Sequence, residues 1–294
     1  MPQPDAPGSA HVVTFDAIGT RWQIDSAEPL GDALESLVRE RIAQFDLAYS
    51  RFRDDSLVSR LRRAPGSIRL PDDAAPLLDL YRRLYDLTGG AVTPLVGDSL
   101  EQLGYDSTYR LRPEGPAVPA VAWDDAIAWD GQSLTAHRPV TVDVGAAGKG
   151  YLVDIVGAIL AEHGHRDFIV DAGGDMLRHG AGTIRVGLEH PTDATRAIGV
   201  IELGSGAVCA SATNRRAWGE GLHHVIDPVT GLPTSRVLAT WALASTALEA
   251  DGLATALFFT SPERLASDFD FQYVVVDSTG RVTYSPDLPG EMFP

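Results

Sequence analysis

Cysteine is nearly missing from this chain, cations are well outnumbered by acidic residues, and long apolar runs are missing altogether. A single cysteine, Cys209, excludes an intrachain disulfide and any multi-cysteine zinc site. It stands in the apolar run Gly206-Ala-Val-Cys-Ala210 and reads as a small buried core residue. Lys and Arg number 24 against 40 Asp and Glu, a formal net charge of −16. That balance argues against non-specific binding of nucleic acid or an anionic membrane surface, because a phosphate-tracking surface needs clustered cations. No window approaches a membrane-spanning length, so no membrane insertion is expected. The opening residues Met-Pro-Gln-Pro-Asp-Ala-Pro-Gly lack a cationic segment followed by an apolar one, and the expected location is cytoplasmic.

What is present is ordinary globular material: 294 residues, 44% hydrophobic and 22% charged. Residues 1–10, rich in Pro, Gly and Ser, are expected to be disordered, with 11–294 forming one unit. Val12 to Ile24 reads as two short strands around Gly19, followed by an amphipathic helix over about 30–49. A second helix is expected over about 72–87, closing at Gly89-Gly90. The proline-rich stretch 111–121 reads as an exposed connection. Ala126–Trp129 and Ser133–Ala136 form a hairpin pattern about Asp130-Gly131. A helix opening near Ala147 carries a one-faced apolar stripe from Leu152 to Leu160. Strands are then expected at 168–171, 183–188, 198–203, 207–210 and 237–243, a helix over about 247–259, and strands at 273–276 and 282–284. Strand pairs followed by helices and further strand pairs indicate an α+β fold with mostly antiparallel sheet.

Three segments carry residues suited to a diphosphate and a metal ion. Gly145-Ala-Ala-Gly-Lys149-Gly150 is not a P-loop, because its glycine spacing differs and no Ser or Thr follows the lysine. Its glycines would still allow close backbone approach, free N–H groups at a helix start favour an anion, and Lys149 supplies a cation. The alternative is a tight strand-to-helix turn with a solvated lysine. Asp251 and Thr255, four residues apart, share one face of an otherwise small, apolar helix. A carboxylate there needs a partner, and hard oxygens of this kind suit Mg²⁺; the alternative is helix capping by Asp251 with Thr255 bonded back to a carbonyl. His224 precedes the turn Asp227-Pro228-Val-Thr-Gly231 and could serve as a general base or as a structural imidazole, with His223 facing the opposite way. Asp171-Ala-Gly-Gly-Asp175 could seat a ligand ring against backbone or be a glycine bulge. Phe52, in Ser50-Arg-Phe52, could present a ring to a base or simply pack in the core.

Together these segments resemble the ApbE family, the FAD:protein FMN transferases, from about Phe15 to Phe259. The family pattern of Asp, Gly-Ala and Lys-Gly-Tyr is similar to Asp143, Gly145-Ala146 and Lys149-Gly150-Tyr151. Its Gly-Gly-Asp resembles 173–175, its His-x-x-Asp-Pro-x-Thr-Gly resembles 224–231, and its Ala-Asp-x-Leu-Ala-Thr-Ala-Leu resembles 250–257. The resemblance implies duplicated T-fold-like strand–helix units with an FAD site at their junction. It implies Mg²⁺ held by Asp251, Thr255 and the Ala146 carbonyl, and FAD contacts from Asp143, Lys149 and the backbone near Val225, with His224 catalytic. The implied reaction cleaves FAD and transfers FMN to a Ser or Thr hydroxyl of an acceptor flavoprotein, releasing AMP. An Mg²⁺-dependent FAD diphosphatase and a non-catalytic flavin-binding protein remain as alternatives.

The chain departs from the family pattern at several places. Ile18 stands where many members have Met, and Phe52 where they have Tyr, both positions implied in FAD binding. The family's Phe-Asp-x-Thr-Val-Gly stretch is shortened to Ala91-Val-Thr93-Pro94, with Thr93 the implied FAD contact. Ser211-Ala212 replaces a common Ser-Gly, and Asp171 a common Asn.

Overall fold

A computed structural model of the chain describes residues 11–293; the expected disorder of residues 1–10 lies outside them. Alternating apolar residues on either side of Ile18-Gly19 form the hairpin β1 (His11–Ala17) and β2 (Thr20–Ser26). Both turn residues have positive φ, 44° at Ile18 and 74° at Gly19, as a two-residue hairpin turn requires. Gly19 adopts this freely, whereas β-branched Ile18 does so under strain.

Helix α1 (Asp32–Tyr49) follows, then α2 (Arg60–Arg63), β3 (Gly66–Arg69), α3 (Ala75–Thr88), α4 (Gly97–Gln102) and α5 (Trp123–Ala126). Helix α3 starts later than its apolar pattern suggests, because Pro71 to Ala74 closes a turn and Pro76 occupies the first helical turn. Strands β4 (Ile127–Trp129) and β5 (Ser133–Ala136) make the expected Asp130-Gly131 hairpin. β3, which the sequence did not announce, pairs with β5 as a third strand. The proline-rich stretch beyond Leu111 is exposed and without regular structure, as expected.

Helix α6 (Gly148–Glu162) leads into β6 (Phe168–Ala172) and β7 (Met176–His179). β8 (Ile184–His190) and β9 (Asp193–Leu203) form a long hairpin, followed by β10 (Gly206–Ala212). Two small ladders come next, β11 (Ala217–Trp218) with β12 (Leu222–His223), and β13 (Ile226–Asp227) with β14 (Leu232–Pro233). The chain closes with β15 (Val237–Ala244), α7 (Ala247–Ala256), α8 (Pro262–Leu265), β16 (Gln272–Asp277), β17 (Val282–Tyr284) and β18 (Gly290–Met292).

The main sheet has eight strands in the order β1-β2-β6-β7-β10-β15-β16-β17, antiparallel throughout. Its two halves repeat one plan. Two strands, an excursion through helices and two more strands give β1-β2-β6-β7, and the same plan gives β10-β15-β16-β17. The halves join where β7 pairs with β10. The fold is therefore α+β, with the duplicated units expected. The three-stranded sheet β18-β9-β8 covers part of the outer face, where Leu188, Ile201 and Leu203 meet Val208, Trp241 and Val274.

The inner face sets up the site. Along β10 and β15 it carries the small residues Ala207, Cys209 and Ala242, and α7 opposes them with Ala247, Ala250 and Ala254. These side chains are small enough for α7 to lie close to the sheet while α3 and α6 cover its other sides. A helix buried all round needs no polar face, which is why this segment is nearly uniformly apolar. Cys209 is fully buried here, as its surroundings suggested. Gly150 of α6 marks the closest approach of α6 and α7: a Cβ there would collide with the Ala247 carbonyl oxygen. No helix among the described residues is long and apolar enough to cross a membrane.

Candidate active site

A cavity of about 840 Å³ opens between the start of α6, the end of α1, the β1-β2 turn and the segment after β10. Its size falls within the range of about 300–1,000 Å³ typical of small-molecule sites. Ile18, Phe52, Asp143, Lys149, His224 and Asp251 all lie on its wall, although they are spread over most of the sequence.

Asp251 reaches the cavity from the buried face of α7 and is 4% exposed. Its Oδ2 accepts the Gly150 N–H at 2.9 Å, which ties α7 to the first turn of α6. Burial, with the nearby charge of Asp175, pushes its carboxyl up to about 8. Lys149 is ion-paired with Asp175, which the Gly173-Gly174 turn delivers from between β6 and β7. Burial alone would lower the Lys149 ammonium, but the carboxylates of Asp175 and Asp251 outweigh it and hold it above its ordinary value. Thr255, one turn beyond Asp251, places Oγ1 3.3 Å from the Ala146 carbonyl oxygen and 3.4 Å from Ser211 Oγ. The Ala146 amide is anchored in turn by the buried Tyr81 hydroxyl at 3.1 Å. The Thr255 hydroxyl and the Ala146 carbonyl thus meet one helical turn along α7 from the Asp251 carboxylate. Among the described residues no group of three or more His, Cys, Asp or Glu could hold a metal, so a cation here would need this mixed oxygen set.

The helix start offers less to an anion than the sequence promised. The Gly148 amide donates to the Val144 carbonyl at 2.7 Å and the Gly150 amide to Asp251, so two first-turn donors are already used.

On the facing wall, His224 and His223 separate as expected for neighbours on extended chain. His223 bonds the Thr234 carbonyl through Nε2 at 2.8 Å and accepts the Val225 amide at Nδ1 at 3.2 Å, a structural arrangement. His224 lines the cavity with Nδ1 buried and without a hydrogen-bond partner among the described residues. Burial, reinforced by the charge of Arg216, drops its imidazole to about 3, so it is neutral at ordinary pH. Burial would raise the Asp143 carboxyl, but the Arg51 guanidinium, with Nε 2.5 Å from Oδ2, overrides this and holds it low. Arg51 also lies 4.1 Å over the Phe52 ring. Phe52 stacks on Tyr109 at 5.7 Å and meets Tyr105 edge-on at 5.4 Å, and Tyr105 stacks on Trp218. Phe52 therefore packs in an aromatic cluster and faces the cavity as well.

Four expected residues do not line the cavity: Ala146, Thr255, Thr93 and Val225. Thr93 is buried, its Oγ1 accepting the Leu95 amide at 3.2 Å, next to Pro94, whose carbonyl holds the Asp143 amide at 2.8 Å. Val225 is buried with its amide on His223 and its carbonyl on the Thr234 amide. Sequence reasoning passed over Arg51, Tyr105, Tyr109, Arg216 and Trp218. Only the aromatic–arginine interleaving of these stretches hinted at them, and that pattern is common on any surface.

Comparison with known proteins gives the chain its relatives. A Klebsiella pneumoniae protein named FAD:protein FMN transferase is 27% identical over 315 residues, spanning 99% of this chain and 88% of its own length. One of the same name from Vibrio cholerae is 27% identical over 268 residues, spanning 84% and 80%. The crystal structure of the ApbE protein from Thermotoga maritima superposes with a TM-score of 0.82 at 23% identity, covering 95% of this chain and 97% of that one. The Vibrio cholerae flavin transferase ApbE gives 0.78 at 20% identity, covering 95% and 97%. The solved structures establish the shared fold. The model described as the ApbE family matches residues 18–271, from the Ile18 rim of the cavity past the helix bearing Asp251 and Thr255, and the chain belongs to that family.

Proposed function

We propose that this chain is a transferase, an Mg²⁺-dependent FAD:protein FMN transferase that attaches FMN to a Ser or Thr hydroxyl of an acceptor flavoprotein and releases AMP. The observation that carries the reading is the convergence of the Asp143, Lys149, His224 and Asp251 segments on one cavity. The names of the relatives point the same way.

The residues present fit a magnesium ion. Asp251, Thr255 Oγ1 and the Ala146 carbonyl are hard oxygen donors of the kind that would hold such an ion, and the last two stand 3.3 Å apart. A cation there would also answer the unbalanced charge of ionised Asp251. The chemistry supplied by such an ion is neutralisation of charge on the diphosphate as the AMP oxygen leaves.

The chain's own residues do the rest. The acceptor hydroxyl oxygen bonds to the FMN phosphorus as the bridging oxygen departs with AMP, and the hydroxyl proton passes to His224. His224 is neutral and able to take that proton. An anionic diphosphate beside Arg216 offsets one of the causes that depress its basicity, after burial and alongside the charge of His223. Asp143, fixed by Arg51, presents an ionised acceptor to ring or ribose donors of FAD. Ile18 and Phe52 supply apolar contact on the cavity wall, and Lys149 keeps Asp175 neutralised. Thr93 and Val225 act from behind, through the backbone positions of Asp143 and His224. The reading takes residues 11–294 as one unit and places the reaction in the cytoplasm, which fractionation of the native protein checks.

The purified protein, FAD, Mg²⁺ and an acceptor domain carrying a Ser/Thr target should give AMP and an equal amount of acceptor heavier by FMN. Asp251→Ala should lower that rate by about a hundredfold or more. AMP with free FMN and no mass gain would replace the transferase by a diphosphatase. Bound FAD with no AMP would leave only a binding protein.

A further inference from the structure

Five cationic side chains line the cavity: Arg51, Arg53, Lys149, Arg215 and Arg216. Four of them are already answered by carboxylates. Arg51 pairs with Asp143 at 2.5 Å. Arg53 pairs with Asp55 at 2.8 Å and Asp46 at 3.2 Å. Arg215 pairs with Glu189 at 3.3 Å. Lys149, the single lysine of the chain, pairs with Asp175. Arg216 alone has neither a carboxylate within 4 Å nor a hydrogen bond to any acceptor among the described residues.

Its position is also central. Arg216 follows β10 and precedes β11, and it is half-buried. Its charge acts on Tyr105, Asp143, His224 and Asp251, which belong to four different parts of the wall. A guanidinium offers five donors in a planar fork that matches phosphate oxygens, and in a chain of net charge −16 an uncommitted one has few other uses.

We propose that Arg216 is the anion-binding residue of this cavity, gripping the diphosphate of the ligand and selecting phosphorylated over unphosphorylated flavins. The inference rests on the flavin-transferase reading and deepens it. The diphosphate would lie between Arg216 and the Asp251, Thr255 and Ala146 oxygens, with the fork holding its oxygens beside His224. Lys149, whose charge is cancelled by a buried carboxylate, contributes far less net attraction than its place in the motif suggests.

The test is binding of FAD, ADP and riboflavin to the full-length protein in chelator-treated buffer, by flavin fluorescence and by calorimetry for ADP. Loss of a charge-assisted contact predicts that Arg216→Gln weakens FAD and ADP by about 10- to 100-fold. Riboflavin should change by less than about twofold, because it has no phosphate to lose. Arg216→Lys should restore part of the loss. Arg215→Gln, which removes an arginine already paired with Glu189, should leave FAD affinity within about threefold. Equal weakening of FAD and riboflavin in Arg216→Gln would mean a structural role and overturn the anion assignment. Unchanged FAD and ADP affinities would overturn it as well, with the transferase reading intact. A wild-type protein that binds neither FAD nor riboflavin, in chelator-treated buffer and after Mg²⁺ is restored, would overturn both.

Discussion

At the scale of single residues, His224 joins a buried Nδ1, neutrality and access to the cavity. Its imidazole falls to about 3 in the folded chain, against about 6.5 when exposed. Below pH 6.5 the unfolded chain therefore takes up a proton that the folded chain refuses until pH nears 3. The stability linked to this residue is complete above pH 6.5 and lost as pH falls, at up to about 1.4 kcal/mol per pH unit. An asparagine cannot titrate. Urea unfolding at a series of pH values should show His224→Asn gaining on the wild type by about 1 kcal/mol per unit between pH 6 and 4. Parallel curves would mean that water reaches the ring. The same scale shows what the sequence could disclose about the site. Asp143, Lys149, His224 and Asp251 stand out because their motifs place polar groups among glycines and apolar residues. Arg51 and Arg216 do not, since an arginine's meaning depends on whether a carboxylate opposes it. For Arg51 that carboxylate lies 92 positions away, and for Arg216 none was found among the described residues. Pairing of that range leaves no local trace.

At the scale of elements, helix α7 is the part on which the site depends, because it carries both Asp251 and Thr255. Its first turn is held from outside. Asp154, on α6, accepts the Ala247 and Leu248 amides at 2.8 Å each, and Thr246 accepts the Glu249 amide at 3.2 Å. Removing Asp154 leaves two helix-start donors without partners in a half-buried place. Asp154→Ala should then cost about 2–3 kcal/mol and lower the melting temperature by several degrees. Asp154→Asn, which keeps one carbonyl oxygen, should recover part of it. An unchanged melting temperature in the alanine variant would show that Thr246 alone suffices. The helices and main-sheet strands were legible because periodicities of 3.6 and 2 persist over enough residues to be seen. β3 spans only Gly66–Arg69 and takes its identity from pairing with β5. The early part of β9, residues 193–197, is largely exposed and hydrophilic, and extends only because β8 pairs with it across an irregular register. Both are set by a partner strand, which local pattern does not contain.

For the whole molecule, the governing quantity is the net charge of −16, which sets the protein against its own proposed ligand. Two electrostatic effects with different reach compete as FAD approaches. The summed acidic charge repels over tens of ångströms when salt is low, because the screening length is about 30 Å at 0.01 M, and over only about 8 Å at 0.15 M. Attraction from Arg216 acts at contact, where added salt weakens it far less. Raising ionic strength should therefore remove the repulsion first. In metal-free buffer the association rate of FAD, followed by stopped-flow flavin fluorescence, should rise several-fold between about 0.01 and 0.15 M monovalent salt. A basic nucleotide-binding surface would show the opposite trend. Adding Mg²⁺ at low salt should raise the rate as well, because the ion reduces the charge of both partners before they meet. A rate that fell with salt in the absence of metal would mean that the local cation outweighs the molecule's overall charge even at long range. The acidity of the chain would then play no part in how its ligand arrives.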